Sequence, residues 1–103
     1  MIFEETSRFT KRVVRLIEDE SYAELQFALA TNPELGKLIR GSGGLRKVRW
    51  ARDGRGKSGG VRVIYYWWTA ADRITFLDIY PKNEKENLTP NEIESLRKQI
   101  EGR

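Results

Sequence analysis

Lys47 and Arg49 alternate with Val48 and Trp50 in a stretch that reads as a half-buried strand. Alternation puts both cations on one face, roughly 7 Å apart by the rise per residue. Two cations at that separation can grip one phosphate group or two adjacent ones. They belong to a longer basic segment, Lys37 to Arg62. It holds Lys37, Arg40, Arg46, Lys47, Arg49, Arg52, Arg55, Lys57 and Arg62 against one acid, Asp53. That is +8 in a chain whose total is +4, so the remaining residues sum to −4. The positive charge is a site and not a general property of the surface. Such a field concentrates polyanions, and phosphate backbones are the commonest of these. The plainer alternative is a solvated basic loop between strand ends.

Composition narrows the chemistry. There is no His and no Cys. This removes imidazole acid–base catalysis, thiolate nucleophiles, disulfides and most zinc-site designs. Reaction chemistry falls to Lys, Arg, Tyr, Ser/Thr or carboxylates. The carboxylates are scattered, so neither a metal nor another cofactor is expected. One motif is a decoy. Ala51-Arg-Asp-Gly-Arg-Gly56-Lys57-Ser58 fits the loose pattern of a nucleotide-binding loop. That motif needs a helix N-terminus after the loop. Here Gly59-Gly60 and a strand pattern follow, so Arg55 and Lys57 are read as cations on a hairpin loop.

The elements that must position these residues are legible in order. At 103 residues and 39% hydrophobic, the chain is one globular domain, 1–103. Met1–Glu5 reads as a short strand. Phe9, Val13, Leu16 and Ile17 fall on one face of a helix opened by Thr6 or Ser7. Tyr22, Leu25, Ala28 and Leu29 mark a second helix, ended by Asn32-Pro33. Leu35–Ile39 reads as an apolar linker and Gly41–Gly44 as a flexible break. The strand with Lys47 and Arg49 follows, then the Gly-rich loop Arg52–Gly60. Val61–Trp68 is apolar on both faces after Arg62, which predicts a central strand covered on both sides. Ile74–Tyr80 is its antiparallel neighbour. Thr89-Pro90-Asn91-Glu92 opens a last helix with the stripe Ile93, Leu96, Ile100. The order β–α–α–β–β–β–α predicts an α+β fold. It is a small antiparallel sheet with two N-terminal helices packed on it and a C-terminal helix, all helices on one face. No apolar run is long enough to span a membrane and no secretory signal is visible, so a cytoplasmic protein is expected.

The runs Asn32-Pro-Glu-Leu-Gly36, Gly41-Ser-Gly-Gly-Leu-Arg-Lys-Val-Arg49, Gly56-Lys-Ser-Gly-Gly-Val-Arg-Val-Ile-Tyr-Tyr66 and Ile79-Tyr-Pro-Lys-Asn-Glu84 together resemble the HigB branch of the RelE-type toxins of bacterial toxin–antitoxin modules. The resemblance covers nearly the whole chain, in order. It implies a RelE-like sheet, mRNA cleavage in the A site of the small ribosomal subunit, and a cognate antitoxin. It also implies contact with operator DNA through the antitoxin complex.

The family's residues transfer position by position. The strand holding Lys47 and Arg49 resembles the family strand with two catalytic cations. Arg62 matches the arginine that opens the next strand and contacts the scissile phosphate. Lys82 lies near a further basic position of the family, whereas Asn83 falls where some members carry Arg. Some members use a Tyr near the C-terminus, and this chain has none after Tyr80. The catalytic set expected is Lys47, Arg49, Arg62 and Lys82; Arg46, Arg52, Arg55, Lys57 and Tyr80 are expected to bind RNA. The implied reaction is attack of the ribose 2′-hydroxyl on the adjacent phosphate. Crowding by Arg46, Arg49 and Arg62 would lower the pKa of Lys47 and make it a candidate base. Two other readings fit the same cluster: an RNA- or ribosome-binding module without catalysis, and a passive partner in a regulatory complex.

Overall fold

A strand that is apolar on both faces has to lie inside a sheet and be covered twice. The computed structural model, which describes residues 1–52 and 60–101, places Val61–Trp68 in that position. The elements run β1 (Ile2–Glu5), α1 (Ser7–Leu16), α2 (Asp19–Thr31), β2 (Lys37–Leu38), β3 (Arg46–Trp50), β4 (Val61–Trp68), β5 (Arg73–Pro81) and α3 (Pro90–Glu101). The sheet order is β1-β5-β4-β3-β2. β1 joins β5 in parallel; every other pairing is antiparallel. The expected antiparallel sheet is therefore mixed at one edge.

The helices do not share one face, contrary to expectation. Phe9, Val13, Leu25 and Leu29 of α1 and α2 pack with Val61, Val63 and Tyr65 of β4. Leu96 and Ile100 of α3 pack with Ile64 on the other side. The physical reason is β4 itself, whose two apolar faces each need a cover. The helix boundaries follow local chemistry. Thr6 caps α1 by accepting from the Phe9 amide at 3.3 Å, and its hydroxyl donates to the Leu77 carbonyl at 3.1 Å. At α3 the capping box is complete: the Thr89 amide donates to Glu92 Oε1 and the Glu92 amide to Thr89 Oγ1.

Two segments depart from the sequence reading. Lys37–Leu38 is a strand, not a linker, paired with Lys47 and Arg46. Gly41–Gly44 is a built turn. Ser42 is buried there, donating to the Ile39 carbonyl at 2.6 Å and accepting from the Leu45 amide at 3.0 Å. Gly44 has φ 111°, a value that favours glycine, and a Cβ on it would meet the Tyr66 ring at 3.0 Å.

β5 carries a bulge. Ile64 pairs with Asp78 while Tyr65 pairs with Phe76, leaving Leu77 as an extra residue. Strict alternation would put Tyr80 on the side of Ile74 and Phe76. The bulge turns Tyr80 to the α3 side and sends Ile79 into the α1/α2 core. Asp78, nearly buried, is neutralised by Arg8 Nε at 3.1 Å and Arg12 at 3.2 Å. Among the described residues no helix is long and apolar enough to cross a membrane.

Tyr65 ties β4 to the segment before β2. Its hydroxyl donates to the Pro33 carbonyl at 2.7 Å and accepts from the Gly36 amide at 2.9 Å. Tyr65→Phe leaves both groups without this partner and is expected to lower unfolding stability by about 1–3 kcal/mol, read from urea titration.

Candidate nucleic-acid interface

Register decides which cations meet. Arg49 of β3 pairs with Arg62 of β4, Arg62 with Tyr80 of β5, and Lys47 with Ile64. Directly paired residues share a face, so Lys47, Arg49, Arg62 and Tyr80 stand together on the α3 side. Lys37, opposite Lys47, adds a cation to the row. α3 covers one end of this face. The other end, holding the cations, is covered by the loop between β5 and α3.

Glu86 is the centre of that loop, and no pattern in the sequence singles it out. Arg62 is 1% exposed, and its guanidinium donates through Nε to Glu86 Oε2 at 2.6 Å and through a terminal nitrogen to Oε1 at 3.0 Å. Lys47 Nζ donates to the Glu86 carbonyl at 3.3 Å and to Asn87 Oδ1 at 2.8 Å. Lys85 closes the inner side, its Nζ 5.0 Å from the Tyr80 ring centre and ion-paired with Glu92 of α3. Leu88 packs into the α3 core. The signal for such a partner was present in the sequence. Arg62 is a lone cation in an apolar strand, and a buried charge requires a counter-charge. Nothing in the sequence said which acid supplies it.

Electrostatics follow from this packing. The bonds from Arg62, helped by its charge and those of Lys47 and Arg49 against some desolvation, bring the Glu86 carboxyl down to about 2. The Lys47 ammonium is pushed below its usual 10.5. Burial is the largest cause; Arg49, Arg62 and Lys37 act in the same direction and Glu86 opposes them. The direction matches the sequence reading, but desolvation and not crowding leads.

The other expected residues are distributed unevenly. Arg49 is exposed and makes no hydrogen bond or ion pair among the described residues. Lys82 is exposed just past β5, its amide donating to the Gly60 carbonyl at 3.0 Å. Arg46 lies apart from the other cations: it pairs with Tyr65 on the opposite face, and its guanidinium donates to the Gly36 carbonyl at 2.7 Å and pairs with Glu34. Tyr80 is wholly buried beneath Lys85. Arg52 is half-buried just beyond β3. Arg55 and Lys57 lie outside the described residues. Among the described residues no cluster of three or more carboxylates could hold a metal ion.

A five-stranded mixed sheet covered by helices on both faces, with a row of cations along β3 and β4, defines a small α+β protein. Residues 8–101 match the family described as the RelE toxin of the RelE/RelB toxin–antitoxin system, and the chain belongs to that family. The fold agrees. A doubly substituted mutant of E. coli toxin RelE in the free state superposes with a TM-score of 0.62 at 14% identity, covering 96% of this chain and 95% of that one. The isolated E. coli RelE toxin gives 0.57 at 15% identity, over 94% and 96%. A chain of the intact E. coli RelBE toxin–antitoxin complex gives 0.57 at 16% identity, over 76% and 92%.

Burial of the Lys47 amine yields a direct expectation. An NMR titration that follows the Lys47 side-chain nitrogen should find its midpoint below 10.5. Lys47→Arg should remove that transition, because a guanidinium does not deprotonate in this range.

Proposed function

We propose that this RelE-family chain is a ribosome-dependent endoribonuclease that inhibits translation by cutting mRNA in the A site, without a metal ion. One observation carries the reading: Lys47, with a proton loosened by burial, shares a face with Arg49 and Arg62 in cross-strand register. In the neutral form Lys47 Nζ takes the proton of the ribose 2′-hydroxyl. The oxygen attacks the adjacent phosphorus, the bond to the 5′-oxygen breaks, and the Lys82 ammonium gives a proton to the leaving oxygen, which Arg62 helps by donating a hydrogen bond. The products are a 2′,3′-cyclic phosphate and a 5′-hydroxyl. Arg49 and Arg62 brace the added negative charge of the transition state. The ribosome holds the reacting atoms in line, which supplies much of the rate enhancement.

The sequence motifs Gly59-Gly-Val-Arg-Val-Ile-Tyr-Tyr66 and Tyr80-Pro-Lys-Asn-Glu84 favour the HigB branch within the family. A cognate antitoxin partner is proposed from the family's description and from the RelBE complex, with operator DNA reached only through that partner. The cytoplasm, where translating ribosomes are, is the proposed location. The second reading, RNA or ribosome binding without cleavage, is favoured by one fact: both Arg62 and Lys47 are already bonded to the chain's own loop.

Induction in a bacterial host with mapping of 5′-hydroxyl mRNA ends separates the two. Cleavage inside translated frames is expected from the wild type and absent from Lys47→Ala/Arg62→Ala. Arg49→Ala, an exposed side chain, should keep the fold and lower cleavage by about 10²-fold. Ribosome binding with no new ends would select the non-catalytic reading.

A further inference from the structure

Resting on the assignment of Lys47 and Arg62 to RNA phosphate, we infer that Glu86 and Asn87 form a built-in anion plug: they occupy the position of the substrate phosphodiester and leave when it arrives. The geometry is that of a bound phosphate. Two carboxylate oxygens accept from two nitrogens of one guanidinium, at 2.6 and 3.0 Å. This is the fork arrangement in which arginine holds two non-bridging phosphate oxygens. Lys47 completes the site by donating to Asn87 Oδ1 and to the Glu86 carbonyl. Among the described residues, both hydrogen bonds from Lys47 Nζ end on this loop.

The layering fits displacement. Arg62 is 1% exposed, so no phosphate reaches it while Glu86 is in place. The Glu86 side chain is 40% exposed and forms the outer layer. Exposed Arg49, one strand over, gives an incoming phosphate its first contact. The plug is held between two fixed points: Lys85 on Glu92 and Tyr80 before it, and Leu88 in the core after it. Glu86 and Asn87 can swing out between these points with both anchors intact. Acid does not open the plug at physiological pH, since the carboxyl stays ionised down to about pH 2. A competing anion does. RNA is the favoured occupant because its successive phosphates can engage Arg49 and Arg62 together, whereas one isolated anion meets the plug alone.

A closed state populated at 90–99% weakens apparent affinity by roughly 10- to 100-fold. Binding is measured by fluorescence anisotropy at low salt with a 2′-O-methyl RNA oligonucleotide, which has no free 2′-hydroxyl and is not cut. Glu86→Gln should bind about tenfold or more tightly than wild type. Glu84→Gln removes the same charge two residues away, where it pairs with Arg12, and should change affinity less than about threefold. Asn87→Ala frees Lys47 but keeps Arg62 paired; it should shift affinity in the same direction by less. In wild type, saturating RNA should also move the Arg62 Nε–H resonance. Glu86→Gln binding no tighter than Glu84→Gln overturns the plug, as does an Arg62 resonance unmoved by bound RNA. An equal gain in affinity for a poly-glutamate peptide overturns the assignment to phosphodiester. Because the probe cannot be cleaved, tighter binding by Glu86→Gln with no mRNA cleavage in cells would sink the nuclease reading and leave the plug standing.

Discussion

A guanidinium that is 1% exposed in the middle of a sheet must be paired. Removing an ion from water costs several kcal/mol even after the protein relaxes, and an unpaired buried charge is not tolerated. Arg62 is that ion. Its demand for a counter-charge fixes Glu86, and Glu86 fixes the course of the loop between β5 and α3. Once the loop lies over the sheet, Asn87 reaches Lys47 and Lys85 covers Tyr80. The geometry of the candidate site thus descends from one buried cation.

The same region breaks a rule that holds elsewhere in the chain. Like charges directly opposite in an antiparallel pair are destabilising, yet Arg49 faces Arg62 and Lys37 faces Lys47. The two apolar cores, one under α1 and α2 and one under α3, carry the stability that this concentration of charge opposes. A local conflict inside an otherwise consistent design is where function is expected. The lowered pKa of Lys47 follows from it, since burial and neighbouring cations both disfavour the charged amine. Asp78 shows the contrasting arrangement: it is more deeply buried than Lys47, and charges of opposite sign, from two arginines, surround it together with a backbone amide.

RelE toxins that are 14–16% identical to this chain share its fold. At that distance the architecture rests on pattern and volume and not on particular side chains. A strand apolar on both faces, two amphipathic helices before it and one after it suffice. The loop that closes on Arg62 is a separate matter, held by one ion pair between distant residues.

The sequence by itself determined the order of the elements other than β2, the central place of β4, a cap at Thr6 or Ser7, the cap at Thr89, and the common face of Lys47 and Arg49. Each of these depends on residues near one another in the chain, through period, capping or alternation. It also located the excess positive charge between Lys37 and Arg62. Only the tertiary structure decided the rest. Lys37–Leu38 is too short to show a period, so its pairing with β3 had no local sign. Which helix covers which face depends on chain crossings, not on the stripes themselves. Arg46 and Lys47 are neighbours in sequence with equal charge, but the pleat sends one to Gly36 and the other to Asn87. The bulge at Leu77 reversed the side on which Tyr80 lies. Glu86, far along the chain from Arg62, became its partner because packing brought the loop there. Contacts between distant residues leave no periodic mark in a sequence, and the plug over the cations is made of such contacts.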